Sequence, residues 1–378
     1  MKRLLLPIVF FILLYVSWPS IEKLIFQDEQ GNSLEKIESE ITEIANQIDW
    51  SAVISLLKDG TNQLLGLLGV EQLPAEQHSN TPQSVDKPDL TTPSIQSFSV
   101  HNIELGDSKE KLEKLIGFER RSSMNEYGVN WHTYHQDYQN FVMAAYDNEN
   151  RVAGLYTNQD LISSTKGIKR GTSKTSVREQ LGNPLTRIQK GLVYYEFEEN
   201  RDYDVFLLDN SYVTIFYDKH QNNTVTAIQI ISEELEKARQ HFYTPASPQL
   251  REGFEYQLFD LTNATRVNHG LPVLTWDDHV RSTARKHSVD MAENNYFDHT
   301  NLEGQSPFDR MEEDQLRFTV AGENLAYGQF SSIFAHEGLM NSLGHRKNIL
   351  QKDFEYLGIG VAFNEQSQPY YTENFYAN

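Results

Sequence analysis

One stretch of this chain occurs twice. Ile103-Glu-Leu-Gly106-Asp-Ser108-Lys109 returns as Ile168-Lys-Arg-Gly171-Thr-Ser173-Lys174, 65 positions later, and Ile116-Gly117 returns at the same offset as Leu181-Gly182. Further on, the run from Phe141 to Tyr146-Asp147 is matched by Tyr212 to Tyr217-Asp218, with the offset stretched by a few residues. An internal repeat of this length is one supersecondary unit used twice. Each copy reads as Gly-Xaa-Ser-Lys, the serine capping a helix, then a turn, then alternating strands rich in Val, Tyr and Phe. Two such α+β units, each with one sheet face to bury, are expected to combine into a single domain over 98–234. No acid, base or ligand cluster repeats with them, so recognition or spacing suits this region better than catalysis.

Composition narrows the chemistry. Lys and Arg number 33 against 53 Asp and Glu, a formal charge of −20, which disfavours binding nucleic acid or anionic lipid through a basic face. Hydrophobic residues at 39% supply real cores and exclude wholesale disorder. With no cysteine, disulfides, thiolate metal sites, iron–sulfur clusters and thiol nucleophiles are all excluded. Metal or catalytic chemistry must come from His, carboxylates and hydroxyls.

The N-terminal quarter is expected to place the protein rather than act. Lys2 and Arg3 precede an apolar run from Leu4 to Trp18, interrupted only by Ser17. Residues 1–20 therefore read as a signal peptide or membrane anchor, with the rest outside the cytoplasm. The run is short of the ~20 residues a span needs. Trp18-Pro19-Ser20 is a poor cleavage site, however, which favours an anchor, with the membrane as partner if it is retained. Over 21–73, Leu34, Ile37, Ile41, Ile44, Ile48 and the later Leu56, Leu57, Leu64, Leu65, Leu68 recur at helical spacing, an amphipathic stalk. Pro74, Pro82, Pro88 and Pro93 among polar residues mark a disordered linker over 74–97.

After a connector at 235–250, the segment 251–378 carries the distinctive motifs. Phe254, Leu258, Leu261 and Ala264 follow helical spacing to Asn268-His269-Gly270, and a second helix is expected from about Asp277 to Glu293. Then come Tyr296-Phe297-Asp298-His299, Gly322-Glu323-Asn324 and Gly344-His345-Arg346-Lys-Asn348, and two closing strands, Leu357–Phe363 and Tyr370–Phe375. Together with Asn263-x-x-Arg266, Gly270-Leu271-Pro272-Val273-Leu274-x-Trp276-Asp277 and Ala284-Arg-Lys-His287-Ser288, this segment resembles a bacterial CAP domain, of the superfamily of cysteine-rich secretory proteins, antigen 5 and plant pathogenesis-related proteins. The duplicated region resembles the CAP-associated N-terminal domain.

The resemblance implies an α–β–α sandwich with a groove in which two histidines and two acids can bind zinc or another divalent metal. Carried over by motif, the metal ligands are His299, Glu323 and His345, with Asn324, Arg346 and Asn348 contacting ligand or bracing the site. The fourth position is open: Ser342 stands where the acid is usual. Glu337 lies five residues before it, about 500° of helix and so ~140° round from it. On chemistry alone, two imidazoles and a carboxylate suit Zn²⁺ with a place left for water. A hydrogen-bonded polar network around a cleft fits the same three residues equally well.

Other motifs fall away. His336-Glu337 resembles the start of a metalloprotease His-Glu-x-x-His, but Met340 replaces the second histidine. His287, in line with Ala284 and Met291, reads as a core histidine. No Gly-x-Ser-x-Gly elbow or phosphate loop is present. Three functions remain: a non-enzymatic module at the cell envelope binding a ligand or protein, a zinc-assisted hydrolase of peptide or wall material with Glu323 as general base, or a lipid carrier. Mass spectrometry of the mature N-terminus is expected to find Met1 or Lys2 retained; a start beyond Ser20 would show the segment is cleaved.

Overall fold

The computed structural model describes residues 85–378; the segments expected over 1–20, 21–73 and 74–84 fall outside those residues. Residues 85–97 carry no helix or strand, and hydrogen bonds tie part of them to the domain that follows. The Glu104 carboxylate accepts the N–H groups of Ser94, Ile95 and Gln96. That carboxylate, on the sheet side, supplies the hydrogen bonds that the Pro-rich segment cannot make within itself.

The two copies of the repeat open identically. After β1 (Phe98–Val100), Ser108 caps helix α1 (Lys109–Ile116) by accepting from Lys111 N. The first copy continues as β2 (Arg121–Met124), β3 (Asn130–Gln136), β4 (Gln139–Tyr146) and β5 (Val152–Thr157), followed by β6 (Ile162–Ser164). In the second copy Ser173 caps α2 (Lys174–Leu181) by accepting from Ser176 N. A hairpin, β7 (Arg187–Lys190) and β8 (Val193–Glu196), precedes β9 (Tyr203–Leu208), β10 (Ser211–Asp218) and β11 (Thr224–Ser232). Each helix entrance is pinned to its own last strand turn: Lys109 N donates to Asn150 O, and Lys174 N to Asn223 O.

The copies merge edge to edge. β5 pairs antiparallel with β11, giving a single seven-stranded sheet in the order β2-β3-β4-β5-β11-β10-β9. Alternation along each strand divides its residues between two cores. Val142, Ala144 and Leu155 join Leu112 and Val177 of the two helices. Phe141, Met143, Ala145 and Tyr156 face the other way, with Trp131 and Phe216.

What covers that second face is helix α4 (Pro248–Asn268), reached through α3 (Glu233–Ala238). It starts before the apolar spacing does, because Ser247 caps it and Pro248 fits its first turn. Leu261 and Ala264 pack on the seven-stranded sheet, while Phe254 and Leu258 pack on a second sheet. Hence 14 of its 21 residues are buried, far more than a one-sided surface helix allows.

The second sheet contains β12 (Thr275–Trp276), β13 (Val320–Tyr327), β14 (Tyr356–Phe363) and β15 (Pro369–Ala377) in the order β12-β14-β15-β13. On the α4 side lie α7 (Ser332–Asn341) and α8 (Leu343–Ile349); on the other lie α5 (Asp278–Asn294), capped by Asp277, and α6 (Pro307–Glu313). Helix, sheet, helix form three layers. Buried Glu255 of α4 clasps the rim of β14: it accepts Val361 N and pairs with Arg281 and Arg285 of α5.

Two glycines allow these layers to touch. A Cβ on Gly360 would lie 2.1 Å from Arg285 N, and one on Gly253 would lie 2.0 Å from Met124 O of the neighbouring sheet. Gly253→Ala is expected to lower stability by about 1–3 kcal/mol. Urea denaturation checks this, and an unchanged midpoint would contradict the packing of α4 on β2.

Candidate functional site

β13 is the edge strand of the second sheet, and its pleat sorts the Gly322-Glu323-Asn324 motif onto two sides. Glu323 turns toward α5 and α6; Asn324 turns toward α4 and α8. The motif therefore straddles the sheet edge, with a histidine-bearing segment on each side.

On the first side, Glu323 is 6% exposed and its carboxylate is shared. His299 Nδ1 lies 2.8 Å from Oε1, and Arg310 Nη2 donates to Oε2 at 2.7 Å. Arg310 also donates to the carbonyls of His299 and Gln305, tying the loop to the carboxylate. It projects from α6, a short helix secured by a capping box between Ser306 and Asp309 with Pro307 in its first turn. His287 is buried on α5, where its Nε2 donates to Asp298 O and so braces the same loop.

On the second side, Asn348 of α8 donates to Glu323 O and to Asn324 Oδ1. Asn324 donates to His345 O and to Oε2 of Glu373, whose Oε1 accepts from Thr262 of α4. Burial pushes the Glu373 carboxyl up to about 7. Asn324 and Asn348 thus brace α8 against the strand. His345 is half-buried on α8, its carbonyl accepting from Asn324, and its imidazole is close enough to His299 to feel its charge.

Three sequence candidates lie elsewhere. Arg346 turns away from the cleft and pairs with Asp218 of the seven-stranded sheet at 2.9 Å. Glu337 is buried in the junction between the sheets, where Tyr156 Oη donates to it at 2.7 Å, and burial raises its carboxyl to about 7. Its neighbour His336 bonds Thr265 through Nε2 and is depressed to about 3 by burial. Ser342 is the N-cap of α8 but makes no side-chain cap bond. No second acid joins His299, Glu323 and His345, and among the described residues no group of three His, Asp or Glu is arranged to hold a metal ion. A metal ion there would have to take the place of the His299 contact on Glu323 Oε1 and share the carboxylate with the Arg310 guanidinium.

Family models match both halves: CAP-associated N-terminal over residues 105–242, and Cysteine-rich secretory protein family over 259–375. A Bacillus subtilis relative, Uncharacterized membrane protein YlbC, is 30% identical over 288 residues, covering 72% of this chain and 82% of the relative. The chain belongs to the CAP family. Another relative from Bacillus subtilis, Uncharacterized protein YkwD, is 38% identical over 132 residues, 35% of this CAP protein and 50% of YkwD. Among solved structures, an extracellular protein containing an SCP domain from Bacillus anthracis aligns with a TM-score of 0.64 and 25% identity, over 78% of this chain and all of that one. A cysteine-rich secretory protein from Staphylococcus aureus aligns at 0.58 and 14% identity, over 76% of this chain and 98% of that one, a likeness of fold.

Two functional side chains of this CAP cleft escaped the sequence. Arg310 had no signal: a capping box announces a helix but not where its arginine reaches. Glu373 had a weak one, since Tyr371, Glu373 and Phe375 alternate onto one face of a closing strand, leaving an acid on an apolar side.

The histidines have opposed environments. The Glu323 hydrogen bond leads in raising the His299 pKa, whereas burial, helped by the nearby His299, lowers that of His345. The His299–Glu323 pair accordingly contributes fully below the ordinary histidine value of 6.5 and is lost as pH rises through the raised value. Because the His299 side chain is 51% exposed, solvent screens much of that contribution. An NMR titration of the imidazoles should show His345 deprotonating well before His299, with Glu323→Gln removing the rise at His299. Coincident titrations would refute the pairing.

Proposed function

We propose that the chain is an extracytoplasmic binding protein of the cell envelope, whose CAP cleft takes a polar ligand without chemical turnover. In this cleft Arg310, rather than a metal ion, neutralises Glu323. The observation that carries this is the double engagement of the Glu323 carboxylate by His299 and Arg310. A general base needs a lone pair aimed at substrate water, and a metal ion on Glu323 would sit beside the Arg310 guanidinium, whose like charge opposes it. His299 keeps its Nε2 for ligand, since Nδ1 faces Glu323. Exposed Phe297 and Tyr327, with rings 5.7 Å apart, and exposed Leu343 supply apolar surface near the two histidines. Such a mix suits a peptide or a sugar, both of which offer apolar faces and hydrogen-bonding groups.

The other functions draw less support. The hydrolase needs Glu323 released from Arg310. The lipid carrier needs a greasy cavity, whereas the hollow of about 510 Å³ beside α6 is walled by Lys286, Asp290, Glu303, Glu313 and Asp314. Extracytoplasmic placement is supported by relatives named as a membrane protein and as an extracellular one.

Zinc uptake and turnover test the proposal together. After equilibration with zinc and dialysis, the intact chain is expected to retain no stoichiometric metal. It is also expected to release no product from wall fragments or peptides. One equivalent of zinc lost in His299→Ala and His345→Ala, or turnover abolished by Glu323→Gln, would overturn it.

A further inference from the structure

The second copy of the repeat differs from the first at one turn, and the difference points at the cleft. In the first copy, Asp147 at the end of β4 accepts from Glu149 N and pairs with Arg151, a local contact at the surface. The matching Asp218, at the end of β10, likewise accepts locally, from His220 N. Its other oxygen leaves the repeat and pairs with Arg346 of α8 at 2.9 Å, both side chains nearly buried.

Three further contacts from the same turn close on the residue that ends α7. Asn341 Nδ2 donates to Tyr217 O at 2.8 Å, Lys219 N donates to Asn341 Oδ1 at 3.0 Å, and His220 Nε2 donates to Asn341 O at 3.1 Å. Arg346 also donates to Met340 O, folding α8 back on the end of α7. The turn from Tyr217 to His220 thus grips the corner between the two helices from outside their own sandwich.

That corner needs an external hold. Helix α8 has seven residues and no side-chain cap bond at Ser342, so it is too short to be stable on its own. His345 precedes Arg346, and neighbouring residues on a helix diverge by about 100°. When Arg346 is drawn to Asp218, His345 leaves α8 on a different side, and its carbonyl accepts from Asn324 of β13.

We propose that Asp218 is a positioning residue for the cleft: through Arg346, and with the Asn341 contacts, the duplicated domain sets where His345 stands. The duplicated domain is then a fixed part of the binding site rather than a spacer. This rests on the proposed cleft only in giving His345 a use.

The test reads the imidazole directly, in the intact chain at fixed pH, from the ring carbon–proton cross-peaks of His345 and His299. Asp218→Asn, which keeps size and loses charge, is expected to shift or double the His345 cross-peaks while those of His299 stay in place. Arg346→Gln should do the same, and Asp218→Glu should restore the original His345 signal. Unmoved His345 cross-peaks in a folded Asp218→Asn chain would overturn the proposal. So would equal changes at both histidines, or the absence of rescue by Asp218→Glu. If Asp218→Asn fails to fold, Asn341→Ala carries the same expectation and the same refutation. Since the readout is the position of His345, a cleft that binds nothing leaves this test intact.

Discussion

Helix α4 is buried on both sides, and the two sheets of the described residues are joined through it. An ordinary surface helix has one apolar stripe and one wet face. Here Phe254 and Leu258 serve one sheet while Leu261 and Ala264 serve another. The polar residues between them cannot stay in water, so they are spent on specific bonds. Glu255 clasps α5, Asp260 meets Arg121 and Tyr138 of the neighbouring sheet, and Arg266 caps the carbonyls of Pro272, Ile349 and Gln351. Glu255 and Asp260 are thus paired with arginines, and Arg266 with carbonyls, the condition for tolerating such groups in a dry interior. Removing one partner leaves the other stranded, a cost of about 3–5 kcal/mol for a buried pair.

The cleft inherits this organisation. Arg266 holds the end of α8 through Ile349 O, Thr262 holds Glu373 beneath the strand edge, and α7 is trapped between Tyr156 and α4. The side chains that meet around β13 are therefore set by contacts made well away from them. Burial within the junction also raises the carboxyls of Asp260 to about 6 and Glu337 to about 7. In the cleft, Glu323 is paired with both an imidazole and a guanidinium.

Much of this was legible in residue order. The serine caps of α1 and α2 came from a repeat visible by eye, and the spacing of Phe254, Leu258 and Leu261 announced α4. The strands Leu357–Phe363 and Tyr370–Phe375 emerged almost as expected within β14 and β15. His299 and Glu323 were named from their motifs and stand in contact. The failures have one cause. Arg310, Glu373 and the turning of Arg346 toward Asp218 are contacts between residues 13, 49 and 128 or more positions from their partners or the motif they serve. Local spacing carries no information about such pairs.

The amino-acid order alone determined the elements, the duplication, the absence of thiol chemistry and the family. Those follow from periodicity, capping and composition, which act over a turn or a strand. Tertiary structure alone decided that the two repeats share one sheet and that α4 lies between two sheets. It also decided that Glu323 faces a guanidinium and that Arg346 faces the duplicated domain. The reason is that burial and charge pairing depend on what arrives from elsewhere in the chain, and only the closed fold brings it there.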